Sequence, residues 1–189
     1  NQDGKRVHAT TGEPLEVGGV EKMSKSKKNV VDPDEIIARF GADTARWFML
    51  SDTPPERDIE WTEAGAEGAW RFTQRIWRLV NDAAAHAGGS DAAASLELRR
   101  AAHKALTAVT EDLESLRFNR AIARIYELAN ALGQAMGKAE APALREAAEF
   151  LVLMSAPMMP HLAEECWQAL GHTQAVVDTP WPKADPALV

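Results

Sequence analysis

The spacing of apolar residues divides the chain into a turn-rich beginning and a helical remainder. In residues 1–31, short apolar runs alternate with turn residues such as Gly18 and Gly19, a pattern that predicts short strands or irregular loop. From Asp32 onward, apolar residues recur every three or four positions, which is the period of an amphipathic helix. The chain is therefore predicted to be mainly α, with a short β or irregular segment at its start.

Two short helices are predicted before a proline pair. Asp32 and Pro33 suit a helix start, Glu35 completes a capping box, and Gly41 ends the first helix. A second helix over about 42–51 must end before the consecutive prolines 54–55. We therefore predict one domain over 1–52 and an antiparallel helical bundle over 53–189.

The bundle is recognised by the apolar stripes of four or five helices. Thr62 is expected to cap the first, whose stripe includes Trp70, Trp77 and Val80; Asn119 is expected to cap a later one. The tryptophans of these stripes, with Trp167, are predicted to be core anchors. The later stripes consist of Ala102, Leu106, Val109, Leu113 and Leu116; Phe118, Ile122, Ile125, Ala129 and Leu132; Leu144, Ala148, Leu151 and Met154; and Leu162, Cys166 and Leu170.

Composition restricts the classes of function. With 46% hydrophobic and 26% charged residues, the chain has the make-up of a globular protein. No apolar run is long enough to span a membrane and no signal peptide is evident, so we expect a cytoplasmic location. The single cysteine predicts no disulfide, and because His161 does not form HExxH with the glutamates after it, no metal site is expected. A net charge of -7 leaves local basic clusters to decide whether nucleic acid is bound.

The densest basic cluster, which we call the lysine loop, covers residues 21–29 and contains four lysines. Mobile ammonium groups can follow a polyphosphate as charge develops on its leaving group, and so stabilise the transition state. The alternatives are a solvated basic loop or a phosphorylation target. A P-loop is excluded because GxxxxGK[ST] does not occur.

Several motifs give the chain a resemblance to a known family. Residues 22–26 read KMSKS, and Phe40-Gly41-Ala42-Asp43-Thr44-Ala45-Arg46 follows at a short distance. Both resemble elements of the class I aminoacyl-tRNA synthetases. Segments 54–61, 65–72, 118–122 and 156–165 are similar to the leucyl branch of that family. One departure is Lys28, which stands where many class I loops have glycine.

The resemblance implies an activity and a division of roles in the loop. Leucyl enzymes activate leucine with ATP and magnesium, then transfer it to tRNA(Leu). By this resemblance Lys22 and Lys25 are catalytic: Lys25 contacts the ATP phosphates and Lys22 assists. Met23, Ser24 and Ser26 complete an ATP-binding loop. Because no HIGH-like motif, nucleotide-binding sheet or editing domain is found, and the chain starts without Met, we expect a fragment that is inactive alone and binds no ATP or magnesium by itself.

Two arginine clusters are the candidates for contact with tRNA. Arginines at i, i+4 and i+7 share one helix face, and arginines near a helix start add to the positive end of its dipole. The alternative is pairing with acids, since Glu67 lies four residues before the first arginine. The first cluster, here named the arginine ridge, is Arg71, Arg75 and Arg78; the second is Arg117, Arg120 and Arg124.

Three other hypotheses remain open from the sequence. The chain could be a stand-alone helical module that binds or chaperones tRNA, a fragment of a valyl or isoleucyl synthetase, or a protein-interaction bundle with an accidental loop. A pure RNA binder has no need of a KMSKS loop, so the importance of Lys25 for ATP chemistry separates it from the synthetase hypothesis.

Overall fold

The computed structural model describes residues 7–8, 10–15, 19, 21–51, 53–54 and 56–189. The chain forms two compact units, Asn1–Asp32 and Pro33–Val189. The predicted turn residue Gly18 and the second proline of the predicted boundary, Pro55, lie outside the described residues. The proposed domain division after residue 52 remains a prediction about the longer protein.

The first unit is irregular wherever it is described. Val7 and Pro14 form a single antiparallel bridge, and the backbone N–H of His8 donates to the carbonyl of Glu13 across the turn between them. No longer strand occurs among the described residues of this unit. Of the two structures expected for the beginning of the chain, its described residues show irregular loop.

The second unit is helical, which confirms the mainly α prediction. Its described residues contain seven α-helices and a short 3₁₀ helix, Val176–Asp178. The α-helices are α1 Pro33–Phe40, α2 Ala42–Ser51, α3 Glu63–Ala85, α4 Ala92–Glu114, α5 Phe118–Ala135, α6 Ala141–Ser155 and α7 Pro160–Ala169. No helix in the described part is long and apolar enough to cross a membrane.

Of the two predicted helix caps, Thr62 is confirmed and Asn119 is wrong. The Thr62 hydroxyl accepts the N–H of Gly65 at 3.2 Å and caps α3, as predicted. Asn119 was expected to cap α5, but that helix already begins at Phe118, and Arg117 occupies the cap position without a side-chain hydrogen bond. The N–H of Arg117 is bonded instead to the carbonyl of Asp112 at the end of α4.

The core of the bundle lies between α3, α4, α5 and α6. The large side chains Ile76, Leu106, Ile125, Leu132 and Leu151 are fully buried there. Complete burial of such a side chain stabilises the fold by roughly 1.5–3 kcal/mol. These contacts, and not the helix propensity of any one segment, hold the bundle together.

The turn Gly88-Gly89 lies between α3 and α4 and crosses the turn between α5 and α6. The N–H of Gly89 donates to the carbonyl of Ala139 at 2.7 Å, and Gly88 has φ +80°. A Cβ on either glycine would collide with the backbone of residues 138–141. Glycine is required here for close approach as well as for a positive φ.

The predicted apolar stripe of α3 is right at Val80, which is buried, and wrong at its two tryptophans. Trp70 and Trp77 are 43% and 38% exposed, whereas Trp167 is buried as predicted. Two stripes of α3 fit a helical period. The ring of Trp47 on α2 stacks on Phe72 at 5.1 Å, which shows that the stripe containing Phe72 faces the core. The stripe that faces the core is Ala66, Ala69, Phe72, Thr73, Ile76, Val80 and Ala83.

The predicted stripe of α4 is also too long at its end. Leu116 was assigned to it, but α4 ends at Glu114. Leu116 has φ +56° and is one of the most exposed large apolar residues in the described chain. The helical period continues in the sequence beyond the point where the backbone turns toward α5.

Candidate functional sites: the lysine loop and the arginine helix

The lysine loop is a compact turn closed by one side chain. The N–H groups of Lys27 and Lys28 donate to the carbonyls of Ser24 and Lys25, both at 3.2 Å. The Asn29 side chain accepts the N–H of Ser24 at 2.8 Å and donates to the carbonyl of Lys22 at 3.3 Å. Asn29 therefore ties Lys22 and Ser24, in the first part of the KMSKS segment, to the residue that ends the lysine loop. Sequence reasoning had given it no role.

The lysines of the loop differ in whether their charge is already paired. Lys27 forms an exposed ion pair with Glu21 at 2.8 Å. In the part of the chain that the structure describes, the ammonium groups of Lys22, Lys25 and Lys28 form no hydrogen bond or ion pair. The two lysines predicted to be catalytic, Lys22 and Lys25, are thus exposed and available to an anionic ligand.

The serines and Met23 shape the loop differently. The hydroxyls of Ser24 and Ser26 lie 3.2 Å apart, and Ser24 Oγ accepts the N–H of Lys27 at 3.3 Å. These contacts hold the turn on its inner side. Met23 is 42% exposed, so its side chain is open to solvent.

Lys28 adopts a backbone conformation that favours glycine. Its φ is +52°, in the left-handed region, which costs a side-chain-bearing residue roughly 1–2 kcal/mol. This is the position at which the sequence departs from the glycine of many class I loops. The lysine therefore keeps the turn that glycine would make and adds a charge to it.

Asp43 and Arg46 on α2 bond to the start of α7 and to the turn that precedes it. Asp43 accepts the N–H of Leu162 with one carboxylate oxygen, at 2.6 Å, and its other oxygen lies 2.9 Å from Nδ1 of His161. Arg46 donates to the carbonyls of Pro157 and Met158 at 2.9 and 3.0 Å. Both residues belong to the GADxxR element, but the resemblance did not predict these hydrogen bonds.

The arginine ridge on α3 is not uniform. Arg78 is exposed and has no partner in the described chain, and Arg71 is exposed with Glu67 at 3.9 Å. Arg75 is partly buried and donates to the carbonyl of Ala129 on α5 at 3.3 Å. Of the three predicted phosphate ligands, Arg71 and Arg78 therefore face solvent, and Arg75 also joins α3 to α5.

The second arginine cluster is largely paired within the chain. Arg120 lies 3.2 Å from the carboxylate of Asp112, which is buried at the end of α4. Arg124 pairs with Glu127 at 3.1 Å, three residues along the same helix. A cleft of about 450 Å³ includes Arg117 and Arg120 in its lining, together with Glu56. Less free positive charge is available here than on α3.

The cysteine is unreactive, and the described residues include no metal-binding cluster. Burial, with the nearby Glu165, raises the pKa of the Cys166 thiol to about 12, so it stays protonated and inert. Within the described ranges, no group of three or more His, Cys, Asp or Glu side chains could hold a metal ion.

Comparison with known proteins gives two separate stretches of the chain a family match. Residues 16–62 match the family described as tRNA synthetases class I (I, L, M and V). Residues 96–189 match the anticodon-binding domain of tRNA ligase. The first match contains the lysine loop and α2, and the second contains most of the bundle.

Similar proteins of known name agree with one another. A leucine–tRNA ligase of Parvibaculum lavamentivorans is 61% identical over 98% of this chain and 23% of its own length. One from Brucella ovis is 59% identical over 99% and 24%. A LeuRS of Agrobacterium radiobacter, solved in a ternary complex with tRNA and LeuAMS, superimposes with a TM-score of 0.80 at 31% identity, over 88% of this chain and 23% of that one. The chain thus spans about a quarter of the length of the curated relatives it matches.

Proposed function

We propose that this chain, which belongs to the leucyl branch of the class I aminoacyl-tRNA synthetases, supplies two parts of a leucine–tRNA ligase: the loop that handles the ATP phosphates and the helical bundle that binds tRNA(Leu). The observation that carries the proposal is the 61% identity to a leucine–tRNA ligase along 98% of the chain. The partners of the longer protein are then leucine, ATP with magnesium, and tRNA(Leu), and its place of action is the cytoplasm.

In adenylate formation the leucine carboxylate attacks the α-phosphorus of ATP and pyrophosphate leaves. Negative charge grows on the leaving pyrophosphate, and a cation placed there stabilises the transition state more than the ground state. We assign this role to Lys25, with Lys22 assisting. Support comes from their exposure and lack of partners in the described chain, since no existing ion pair has to break. Ser24 and Ser26 hold the turn that carries them.

We assign tRNA phosphate contacts first to Arg71 and Arg78, which face solvent on α3. Arg75 contributes to the same surface, and its hydrogen bond to Ala129 also joins α3 to α5. Arg120 and Arg124 form a second, weaker part of the surface, because each already has an acidic neighbour. We therefore expect Arg71 and Arg78 to contribute more to tRNA affinity than Arg120 and Arg124, because phosphate contacts depend on free positive charge.

The enzyme assignment is tested by amino-acid-dependent exchange of pyrophosphate into ATP. The longer protein should catalyse exchange with leucine and reject valine and isoleucine by roughly tenfold or more, the discrimination that one methylene or a changed branch point allows. The 189-residue chain alone should show no exchange. Preference for valine or isoleucine would refute the leucyl assignment, and absence of exchange with any amino acid would favour a stand-alone tRNA-binding module.

The tRNA assignment is tested on the chain itself with a tRNA(Leu) transcript. Arg71→Ala with Arg78→Ala should weaken binding and reduce the slope of log K against log salt by about 1 for each arginine. Arg100→Ala with Lys104→Ala is the matched control, because it also removes two exposed helical charges but on α4. Equal losses in the control and the ridge variant would show general charge attraction and contradict the assigned surface.

A further inference from the structure

Two of the six tryptophans lie on the outer side of α3 without an aromatic or polar partner. Trp47, Trp61 and Trp167 contact the rings of Phe72, Phe48 and His172, and Trp181 donates its indole N–H to Thr110. Among the described residues, the indoles of Trp70 and Trp77 make no ring contact and no hydrogen bond, and they are 43% and 38% exposed. We call these two residues the tryptophan pair.

We propose that Trp70 and Trp77 are base-stacking residues of the tRNA surface, each taking the face of one unpaired nucleotide. This inference rests on the proposed function, which supplies the RNA. It adds a kind of contact that the arginine ridge cannot make, because arginine contacts to phosphate position the RNA backbone without engaging its bases.

The register of α3 places the pair beside the ridge. Trp70 and Trp77 are seven residues apart, so they lie on nearly the same side of the helix and about 10 Å apart along its axis. That separation lets each ring take a different base. Arg71 and Arg78 directly follow the two tryptophans, so each indole has an exposed guanidinium on the adjoining strip of the helix surface. Gln74, also exposed, lies between the two rings along the helix.

Charge favours a nucleic acid over a protein as the occupant of this face. From Gly68 to Asn81 the helix contains three arginines and no acidic residue, in a chain whose net charge is -7. A polyanion with exposed aromatic rings satisfies both features at once: its phosphates meet the arginines and its bases cover the indoles. Aromatic side chains interleaved with basic ones are the pattern by which single-stranded nucleotides are bound.

The test compares planar and non-planar apolar side chains at the two positions. In the 189-residue chain, Trp70→Leu with Trp77→Leu should weaken binding of a tRNA(Leu) transcript by roughly tenfold or more, as expected for the loss of stacked bases. Trp70→Phe with Trp77→Phe should recover most of that affinity. Both variants keep a large apolar group on an exposed face, so circular dichroism and thermal melting should match the unsubstituted chain. Trp181→Leu, at a similarly exposed tryptophan outside α3, is the control and should bind normally.

Salt dependence separates stacking from charge. The leucine variants should lower affinity by the same factor at every salt concentration, since no phosphate contact is lost, whereas the arginine variants change the slope. Leucine and phenylalanine variants that bind equally would overturn the stacking role while leaving the tRNA assignment intact. If tRNA(Leu) is not bound by the chain at all, the inference and the proposed tRNA surface both fall.

Discussion

At the scale of single residues, Asn29 lies outside the KMSKS segment, yet its side chain makes two hydrogen bonds to that segment. Its amide oxygen accepts the N–H of Ser24 and its amide nitrogen donates to the carbonyl of Lys22. The side chain of Asn29, which follows Lys25 in the chain, thus bonds to two residues that precede Lys25. In the role we propose for the loop, ordering its backbone before ATP arrives lowers the entropy lost on binding the phosphates.

Asn29→Ala in the longer protein should raise KM for ATP in leucine-dependent exchange by roughly threefold to tenfold, because the loop must be ordered by the ligand itself. Asn29→Asp keeps the acceptor for Ser24 and loses the donor to Lys22. Its KM for ATP should therefore fall between those of the unsubstituted protein and Asn29→Ala. Lys27→Ala, which removes only an exposed ion pair, is the matched control. An Asn29→Ala enzyme with an unchanged KM for ATP would contradict the closing role.

From the sequence, a role can be assigned where the chemistry depends on the residue type and its near neighbours, and the roles of Lys22 and Lys25 stay predictions. Lys22 and Lys25 could be named because a dense run of lysines and a known motif coincide. Asn29 could not, since its two hydrogen bonds depend on how the backbone turns. Trp70 and Trp77 were misassigned because two stripes of α3 satisfy the helical period, and only the ring of Trp47 shows which one faces the core.

At the scale of elements, α2 is held against the bundle by charged groups and by apolar contacts. The Asp43 carboxylate accepts the first-turn N–H of Leu162 on α7, and Arg46 neutralises carbonyls just past the end of α6. The two residues therefore satisfy helix ends that would otherwise lie unpaired.

Asp43→Ala should lower the free energy of unfolding of the chain by about 1–3 kcal/mol, the cost of leaving a buried helix-end N–H without its acceptor. Urea denaturation followed by circular dichroism measures it. Asp82→Ala is the control: that carboxylate is exposed on α3 and should change stability by less than about 0.5 kcal/mol. A loss no greater than the control would contradict the capping role.

A second element contact, between α4 and α6, depends on pH. Burial raises the pKa of Glu146, but hydrogen bonds from Arg99 and His103 lower it by more, so the net pKa is below 4.5. His103 accepts the N–H of Asp185 with Nδ1, which leaves Nε2 to donate to Glu146. A carboxylate with a lowered pKa stabilises the fold above the pKa of the unfolded chain and ceases to do so as pH falls through the folded value.

Glu146→Gln should therefore destabilise the chain at neutral pH, and the difference from the unsubstituted chain should shrink as pH is lowered below about 4.5. Urea unfolding at a series of pH values checks this. Glu97→Gln, at an exposed position of α4, should give no such trend. A Glu146→Gln deficit that stays constant down to about pH 3 would show that the contact does not depend on the carboxylate charge.

At the scale of the whole molecule, the chain joins a short irregular unit that bears the lysine loop to a helical bundle that bears the arginine helix. The mainly α class and the bounds of α1 and α2 could be predicted, because amphipathic periods, prolines and glycines are local signals. The burial of Asp43 and the pairing of Arg120 with Asp112 could not, since both join residues brought together only by the packing of helices.

The central claim is that Lys25 stabilises charge on the pyrophosphate that leaves ATP. The most direct measurement is leucine-dependent pyrophosphate exchange by the longer protein carrying Lys25→Ala, beside Lys28→Gly. Both variants remove one exposed, unpaired lysine charge from the same loop, and glycine suits the left-handed backbone at position 28. We predict that Lys25→Ala lowers the exchange rate constant about a hundredfold or more, as loss of a transition-state contact does, and that Lys28→Gly changes it by less than about threefold. Equal rates for Lys25→Ala and the unsubstituted protein would contradict the claim.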